Sequence, residues 1–129
     1  MQKLSIRSRA RTEMIDITGE VQGALEQEKS GASLCTVFVP HTTAAVTINE
    51  NADPSVRSDI LAELDKVIPF ENGYTHREGN SAAHIKASLI GSSVSVPVEN
   101  GRLCLGTWQG IYFCEFDGPR QREVWIQTR

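Results

Sequence analysis

Three histidines, His41, His76 and His84, are the residues whose type and surroundings most clearly suggest chemistry. All three lie in polar stretches rather than in apolar runs. Neutral imidazoles are good ligands for zinc, and three of them with an open fourth position is the arrangement of a catalytic zinc site. Their spacing matches no standard metal motif, since there is no H-E-x-x-H and no neighbouring cysteine. Two interpretations therefore stay open: a metal centre, or three separate surface or capping histidines.

Acidic and amide side chains lie close to these histidines in the sequence. Carboxylates beside imidazoles can orient a ligand ring, act as a general base or hold a hard cation such as Mg²⁺. Glu50 and Glu78 are candidate bases for this reason, whereas Asp53 is better explained as the cap of the helix that follows it. The candidates beside the histidines are Glu50, Asn51, Glu78 and Asn80.

The segment from 106 to 122 brings aromatic, amide, acidic and basic side chains together. Its residues 117–120, Asp-Gly-Pro-Arg, are typical of a tight turn between strands. If this turn is functional, Arg120 or Arg122 would present a planar guanidinium to a phosphate. Glu115 and Asp117 would then balance that charge or help to hold a metal. A plain turn remains the alternative.

Seven stretches of alternating or β-branched residues predict the strands that must position these groups. The longest of them exceeds one ordinary strand, and its glycines Gly106 and Gly110 predict a break or a hairpin around positions 108–109. The stretches are 4–9, 12–18, 34–39, 44–49, 93–98, 102–116 and 123–128.

Two to three helices are predicted between these strands. One runs over 53–68, with Asp53 as its cap, Pro54 at its first position and an apolar stripe along one face. A short one begins after Asn80 and ends at Gly91, and a third covers 19–28 with Thr18 as a possible cap. Because strands outnumber helices and several follow one another directly, the fold class is α+β with a mainly antiparallel sheet.

Length and charge exclude several classes of protein. The chain has 129 residues, which fit one domain over 1–129, and a net charge of −3 with a pI near 5.6. This balance argues against binding nucleic acid or anionic lipid. No apolar run suits a membrane helix and the N-terminus lacks a signal-like stretch, so we expect a cytoplasmic protein. Three cysteines without a C-x-x-C pair are expected to be reduced and mostly buried.

Three motifs, in this order, resemble those of the YjbQ family, whose members are named secondary thiamine-phosphate synthases. They lie at 41–51 (HTTAAVTINEN), 80–86 (NSAAHIK) and 106–109 (GTWQ). The resemblance spans essentially the whole chain. It implies an antiparallel β-sandwich within the α+β class, a homotrimer, and a pocket near the subunit boundary. It also implies a metal site, for zinc or magnesium, at His41, His76 and His84.

The activity that the family name implies joins hydroxymethylpyrimidine diphosphate to a thiazole phosphate, with loss of diphosphate. The site must then neutralise negative charge that grows on the leaving group, which a divalent metal and Arg120 would do electrostatically. Trp108 could lie against the flat pyrimidine, or could instead fill the core or an interface. The expected catalytic residues are Glu50, Glu78 and Arg120, and the expected substrate-binding residues are Asn51, Asn80, Trp108, Gln109 and Asp117.

Two other functions use the same residues. A metal-dependent hydrolase of a small phosphate ester would activate water on the metal, with Glu50 or Glu78 as base. A non-catalytic trimer would bind a metal or a small metabolite without turnover. The word secondary in the family name also allows a different main role for the protein.

Overall fold

Eight strands and three helices follow one another along the residues that the computed structural model describes, 1–28 and 31–129. Their order is the irregular mixture expected of the α+β class, and every strand pair is antiparallel. The elements are β1 Gln2–Arg7, β2 Glu13–Asp16, α1 Thr18–Glu28, β3 Leu34–Phe38, β4 Ala44–Glu50, α2 Pro54–Val67, α3 Ser81–Ile90, β5 Ser93–Glu99, β6 Arg102–Leu103, β7 Gln109–Glu115 and β8 Gln121–Thr128.

Each predicted strand stretch overlaps a strand, and the long stretch from 102 to 116 divides as expected into β6 and β7. The predicted cap of α1 is wrong, however. The helix begins at Thr18 itself, and the Asp16 carboxylate accepts the backbone N–H of Thr18 at 3.0 Å. The Thr18 hydroxyl accepts the Ile111 N–H at 2.9 Å and donates to the Asp16 carboxylate at 2.6 Å, so these contacts take the place of a bond to the helix N–H groups.

The strands form two sheets that curl into a half-barrel. One sheet has five strands in the order β1-β8-β3-β5-β6, and the other has three in the order β2-β7-β4. Apolar side chains from both sheets and from α1 pack in one shared core. This core includes Val21, Val37, Val46, Val96, Phe113, Val124 and Ile126.

The three-stranded sheet is buried on both faces. Side chains alternate between the two faces of a strand, and along β7 Ile111 and Phe113 enter the shared core while Tyr112 and Cys114 enter a second one. The second core lies under α2 and α3. Strand β7 is therefore the centre of the fold, and its two ends carry the polar residues described below.

Helix α2 packs against β2 on the second core. Its predicted start is confirmed, because the Asp53 side chain accepts the Ser55 N–H at 2.9 Å and Pro54 is the first helical residue. Its apolar stripe is less buried than the sequence suggests: Leu61 and Leu64 are half-buried, and Val67 is exposed. The helix packs on the second core from one side only, and so covers its apolar stripe incompletely.

Helix α3 packs on β4, and both of its predicted ends are confirmed. It begins after Asn80 and ends at Gly91, whose φ of 105° is a conformation that favours glycine. Its outer face carries Ile85 and Leu89, which are exposed and four residues apart. These two side chains lie on one face of the helix.

The cysteines differ from one another in burial. Cys35 and Cys114 are buried as expected, and burial raises the pKa of Cys114 to about 12. Cys104 is exposed, contrary to prediction, because it follows the two-residue strand β6 at the edge of its sheet. Across residues 1–28 and 31–129, no helix has the length and apolar character needed to span a membrane.

Candidate active-site cleft

An open cleft lies where β3 ends and the chain turns into β4. It consists of two adjoining cavities of about 380 and 530 Å³ that share His41, Thr42 and Ser92. The smaller cavity is bounded by His84 of α3. The larger one is bounded by Arg120, from the turn between β7 and β8. We call these two cavities together the histidine cleft. Its lining residues of interest are Phe38, His41, Thr42, His84, Ser92 and Arg120.

His41 is held in its neutral form. Its Nε2 accepts the backbone N–H of Glu123 at 2.9 Å, so the proton of the neutral ring is on Nδ1. Burial, and then the positive charge of Arg122, lower the pKa of His41. The ring is consequently uncharged at pH 7, and its Nδ1–H is a hydrogen-bond donor at the edge of the cleft.

The structure brings two of the three predicted metal ligands together. The rings of His76 and His84 meet edge to face, with their centroids 5.4 Å apart, and His41 shares the histidine cleft with His84. Yet within the described part of the chain no three His, Cys, Asp or Glu side chains are grouped closely enough to hold a metal ion. The described residues of one chain thus offer an imidazole pair without a third ligand, and the three-histidine centre stays a prediction.

A series of hydrogen bonds connects the histidine cleft to a separate cavity in the loop before α3. The Asn80 Nδ2 donates to the Asp117 carboxylate at 2.9 Å. Arg120 donates from Nε to the Asp117 carbonyl at 2.9 Å and from Nη2 to its carboxylate at 3.2 Å. This loop cavity has a volume of about 540 Å³, and its lining includes His76, Glu78, Asn80 and Asp117. Four predicted site residues, Glu78, Asn80, Asp117 and Arg120, therefore lie around this one region.

The turn that carries Asp117 and Arg120 is anchored by a buried ion pair. Glu115 is 0% exposed and Arg122 is 4% exposed, and Arg122 Nη2 lies 2.5 Å from Glu115 Oε2. Glu115 also accepts the Ser8 hydroxyl at 2.7 Å and the Asp117 N–H at 3.0 Å. Arg122 also lines the larger cavity, but its Nε and Nη2 are held by Glu115 and by Thr43 of the β3–β4 segment, so its contact with a phosphate stays a prediction.

The pKa of Glu115 follows from these contacts. Burial by itself raises the pKa of this carboxyl group. Hydrogen bonds from Arg122, from the Asp117 N–H and from Ser8, together with the charge of Arg122, outweigh burial and lower it. Glu115 is therefore ionised at pH 7, and its role is to fix the turn rather than to exchange protons.

The remaining predicted site residues lie at the other end of the three-stranded sheet. Glu50 pairs with Gln109 across β4 and β7, and the Asn51 N–H donates to the Trp108 carbonyl at 2.9 Å. Strand β4 runs from Ala44, which lines the histidine cleft, so Glu50 is about 20 Å away at the usual rise per residue. Within one chain, these four residues form a separate cluster, in which Trp108 is 63% exposed.

Comparison with known proteins places the chain in a family. A family model described as UPF0047 protein YjbQ-like matches residues 2–129. The chain belongs to this YjbQ-like family. The YugU protein of Bacillus subtilis is 55% identical over 130 residues, which cover 98% of this chain and 97% of that protein. The MJ1081 protein of Methanocaldococcus jannaschii is 49% identical over 125 residues, covering 97% and 91%. Both are named UPF0047 proteins.

Crystal structures of similar proteins share the YjbQ-like fold. An uncharacterised conserved protein of the YjbQ/UPF0047 family from Clostridium acetobutylicum superposes with a TM-score of 0.97 at 53% identity, over 100% of both chains. The conserved hypothetical protein TT1486 from Thermus thermophilus gives 0.92 at 40% identity, also over 100% of both. The resemblance seen in the three sequence motifs is thereby confirmed.

One residue of the YjbQ-like cleft is absent from the sequence-based candidates. Phe38 is 40% exposed and lines the larger cavity beside His41. In the sequence it lies within the apolar run 37–40, which suggests a buried strand residue. Strand alternation could have identified it: Cys35 and Val37 point into the core, so Phe38 belongs to the opposite face.

Proposed function

We propose that this YjbQ-like protein acts as a thiamine-phosphate synthase, joining hydroxymethylpyrimidine diphosphate to a thiazole phosphate. The observation that carries the proposal is that a neutral His41 and the cationic Arg120 line one open cleft, with His84 in its adjoining part. Donors and a positive charge around an open cavity suit a phosphorylated small molecule. The particular reaction is the one that the resemblance of the three sequence motifs implies.

The reaction needs charge stabilisation rather than a protein nucleophile. The thiazole nitrogen attacks the methylene carbon of the pyrimidine, the bond from that carbon to the diphosphate oxygen breaks, and diphosphate leaves with the electron pair. Negative charge grows on the leaving group as this bond breaks. In many enzymes, fixed donors that face such growing charge lower the barrier more than any other group does. Arg120 would supply such donors here, and its two hydrogen bonds to Asp117 would hold the guanidinium in place.

Each residue of the cleft has a part in this scheme. Asp117 engages Nε and Nη2 of Arg120, which leaves its Nη1 donors for the diphosphate. His41 would donate its Nδ1–H to another diphosphate oxygen, since its Nε2 is engaged by Glu123. Glu78, in the adjoining loop cavity, remains a predicted catalytic residue and would be the base in the alternative hydrolase reaction, since the synthase step above transfers no proton. A zinc or magnesium ion at His41, His76 and His84 remains a predicted cofactor. It would be an alternative to the His41 donor, because His41 would have to give up its Nδ1 proton to bind the ion. The bond-breaking step above does not depend on the ion.

We further propose that the protein is a cytoplasmic homotrimer in which the two sheets pack as a β-sandwich. The apolar core shared by the two sheets supports the sandwich. Exposed Val67, Ile85 and Leu89 on α2 and α3 are apolar surface that a neighbouring subunit would cover. A trimer would also allow the distant Glu50, Asn51, Trp108 and Gln109 to serve the cleft of another subunit. Sedimentation equilibrium would give three times 14.2 kDa for a trimer, and the mass of one chain would contradict it.

Product formation from the two precursors tests the proposed reaction. Purified protein receives each precursor alone and then both, and thiamine phosphate is measured by fluorescence after oxidation to the thiochrome. We expect product only with both precursors, and about a hundredfold lower rate for Arg120→Ala, by analogy with the loss of one charge-stabilising donor. Arg102→Ala, an equally charged change at an exposed site outside the cleft, should keep the full rate.

The other outcomes identify the alternatives. Release of phosphate or diphosphate from one precursor alone would indicate a hydrolase. Binding of the precursors without turnover, with or without added zinc or magnesium, would indicate a non-catalytic module. An Arg120→Ala rate equal to that of the unmodified protein would exclude the cleft as the place of reaction.

A further inference from the structure

Phe38 presents an aromatic face in a cleft whose lining mixes apolar and polar side chains. It stands at the last position of β3, with its side chain 40% exposed. The same cavity contains His41 and Arg120, the two groups proposed to hold phosphate. An exposed large aromatic beside a cation and a hydrogen-bond donor is a combination that favours a ligand with a flat ring and an anionic group.

The Phe38 ring is supported from the neighbouring strand. Its centroid lies 5.7 Å from that of Trp125 on β8, at an angle of 40°. The Trp125 ring in turn lies under the ammonium group of Lys3 on β1, which is 4.7 Å from the ring centroid. Three adjacent strands thus contribute to one row of packed side chains. A ring supported in this way loses little conformational entropy when a ligand packs on it.

We propose that Phe38 is a stacking platform for a planar heteroaromatic ring, whose phosphate or diphosphate group is bound at Arg120 and His41. The proposal rests on the proposed function and extends it, because it says which residue selects a ring-bearing diphosphate over a plain one. Stacking on a π face tolerates many flat rings. Phe38 would therefore distinguish heteroaromatic from non-aromatic phosphates, while other contacts select among the rings.

The size of the cavity agrees with such a ligand. The part of the cleft that Phe38 and Arg120 share has a volume of about 530 Å³, within the range of small-molecule sites. Trp108, the aromatic residue that the sequence suggests for this task, is about 20 Å away along β4 and β7 of the same chain. Phe38 is thus the aromatic side chain that the cleft of one chain provides.

Binding measurements with and without the ring test this role apart from catalysis. The full-length protein is titrated calorimetrically with hydroxymethylpyrimidine diphosphate and, separately, with inorganic diphosphate. We expect the pyrimidine compound to bind at least about tenfold more tightly, which is the order of one base–aromatic stack. Phe38→Ala should lose this advantage and keep its affinity for inorganic diphosphate. Phe38→Tyr should retain the advantage.

Two further variants make the test specific. Phe38→Leu keeps apolar bulk and removes the π face, so it should behave as Phe38→Ala does even if the smaller residue disturbs packing on Trp125. Arg102→Ala changes an exposed residue outside the cleft and should leave both affinities unchanged.

The proposal is overturned if the unmodified protein binds both compounds equally, or if Phe38→Leu retains the full preference for the pyrimidine. It stands if the preference depends on Phe38 and yet no thiamine phosphate is made; in that case the proposed reaction fails instead. If neither compound binds, both the stacking role of Phe38 and the proposed function are refuted.

Discussion

Removing the buried carboxylate of Glu115 should destabilise the protein strongly. In Glu115→Ala, the guanidinium of Arg122 stays buried with its partner removed, and the Asp117 N–H and the Ser8 hydroxyl lose their acceptor. Breaking a buried ion pair from one side costs about 3–5 kcal/mol. For a chain of this length, that corresponds to a fall in Tm of roughly 10–15 °C. Thermal unfolding followed by circular dichroism measures it.

A double variant distinguishes the stability lost by leaving a buried charge unpaired from the stability lost with the contact itself. Glu115→Met combined with Arg122→Leu removes both charges and keeps apolar volume in their place. Such replacements are often neutral or stabilising, so the double variant should melt well above either single variant. Glu99→Ala, an exposed acid at the end of β5, is the control and should change the free energy of unfolding by no more than about 0.5 kcal/mol. A single variant as stable as this control would refute the reasoning.

Three other predictions concern acid stability, backbone space and cysteine reactivity. The pKa of Glu115 is lower in the folded than in the unfolded chain, so its stabilising effect is present above pH 4.5 and is lost as the pH falls further. Between pH 7 and pH 3, the Tm of Glu115→Gln should therefore fall less than the Tm of the unmodified protein. Gly118→Ala should lower stability by about 1–3 kcal/mol in denaturant titration, because an added Cβ would lie 2.4 Å from the Ala10 carbonyl oxygen; an unchanged midpoint would contradict this. Ellman's reagent should titrate one thiol, Cys104, in the folded chain, with Cys35 and Cys114 reacting after unfolding; three fast thiols would be the opposite result.

The elements with strong local signals could be predicted from the sequence. Helix α2 has an acidic cap, a proline at its first position and a regular apolar spacing, all within one segment. Such signals depend on neighbours in the chain and need no tertiary information. The same holds for the division of the 102–116 stretch at its glycines. The degree to which the helix is buried could not be predicted from the sequence, because the exposure of Val67 depends on which elements pack against the helix.

The composition of the site could be predicted only in part. The motif residues were found, but their grouping depends on strand register: β4 places His41 and Glu50 near opposite ends of one strand. Arg122 looked as available as Arg120 in the sequence. Its burial follows from pairing with Glu115 across the β7–β8 turn, which only the tertiary structure determines. The sequence likewise could not show that Phe38 lies beside Arg120.

The location of the binding cleft is the central claim, and the two tryptophan side chains test it directly. Trp125 lies 5.7 Å from the Phe38 ring at the histidine cleft, whereas Trp108 is at the far end of the three-stranded sheet. Their indole N–H groups give two separate signals in a ¹⁵N-labelled spectrum, which is recorded while hydroxymethylpyrimidine diphosphate is added. We predict that the Trp125 signal moves with saturation. Movement of Trp108 alone would contradict the assignment of the site.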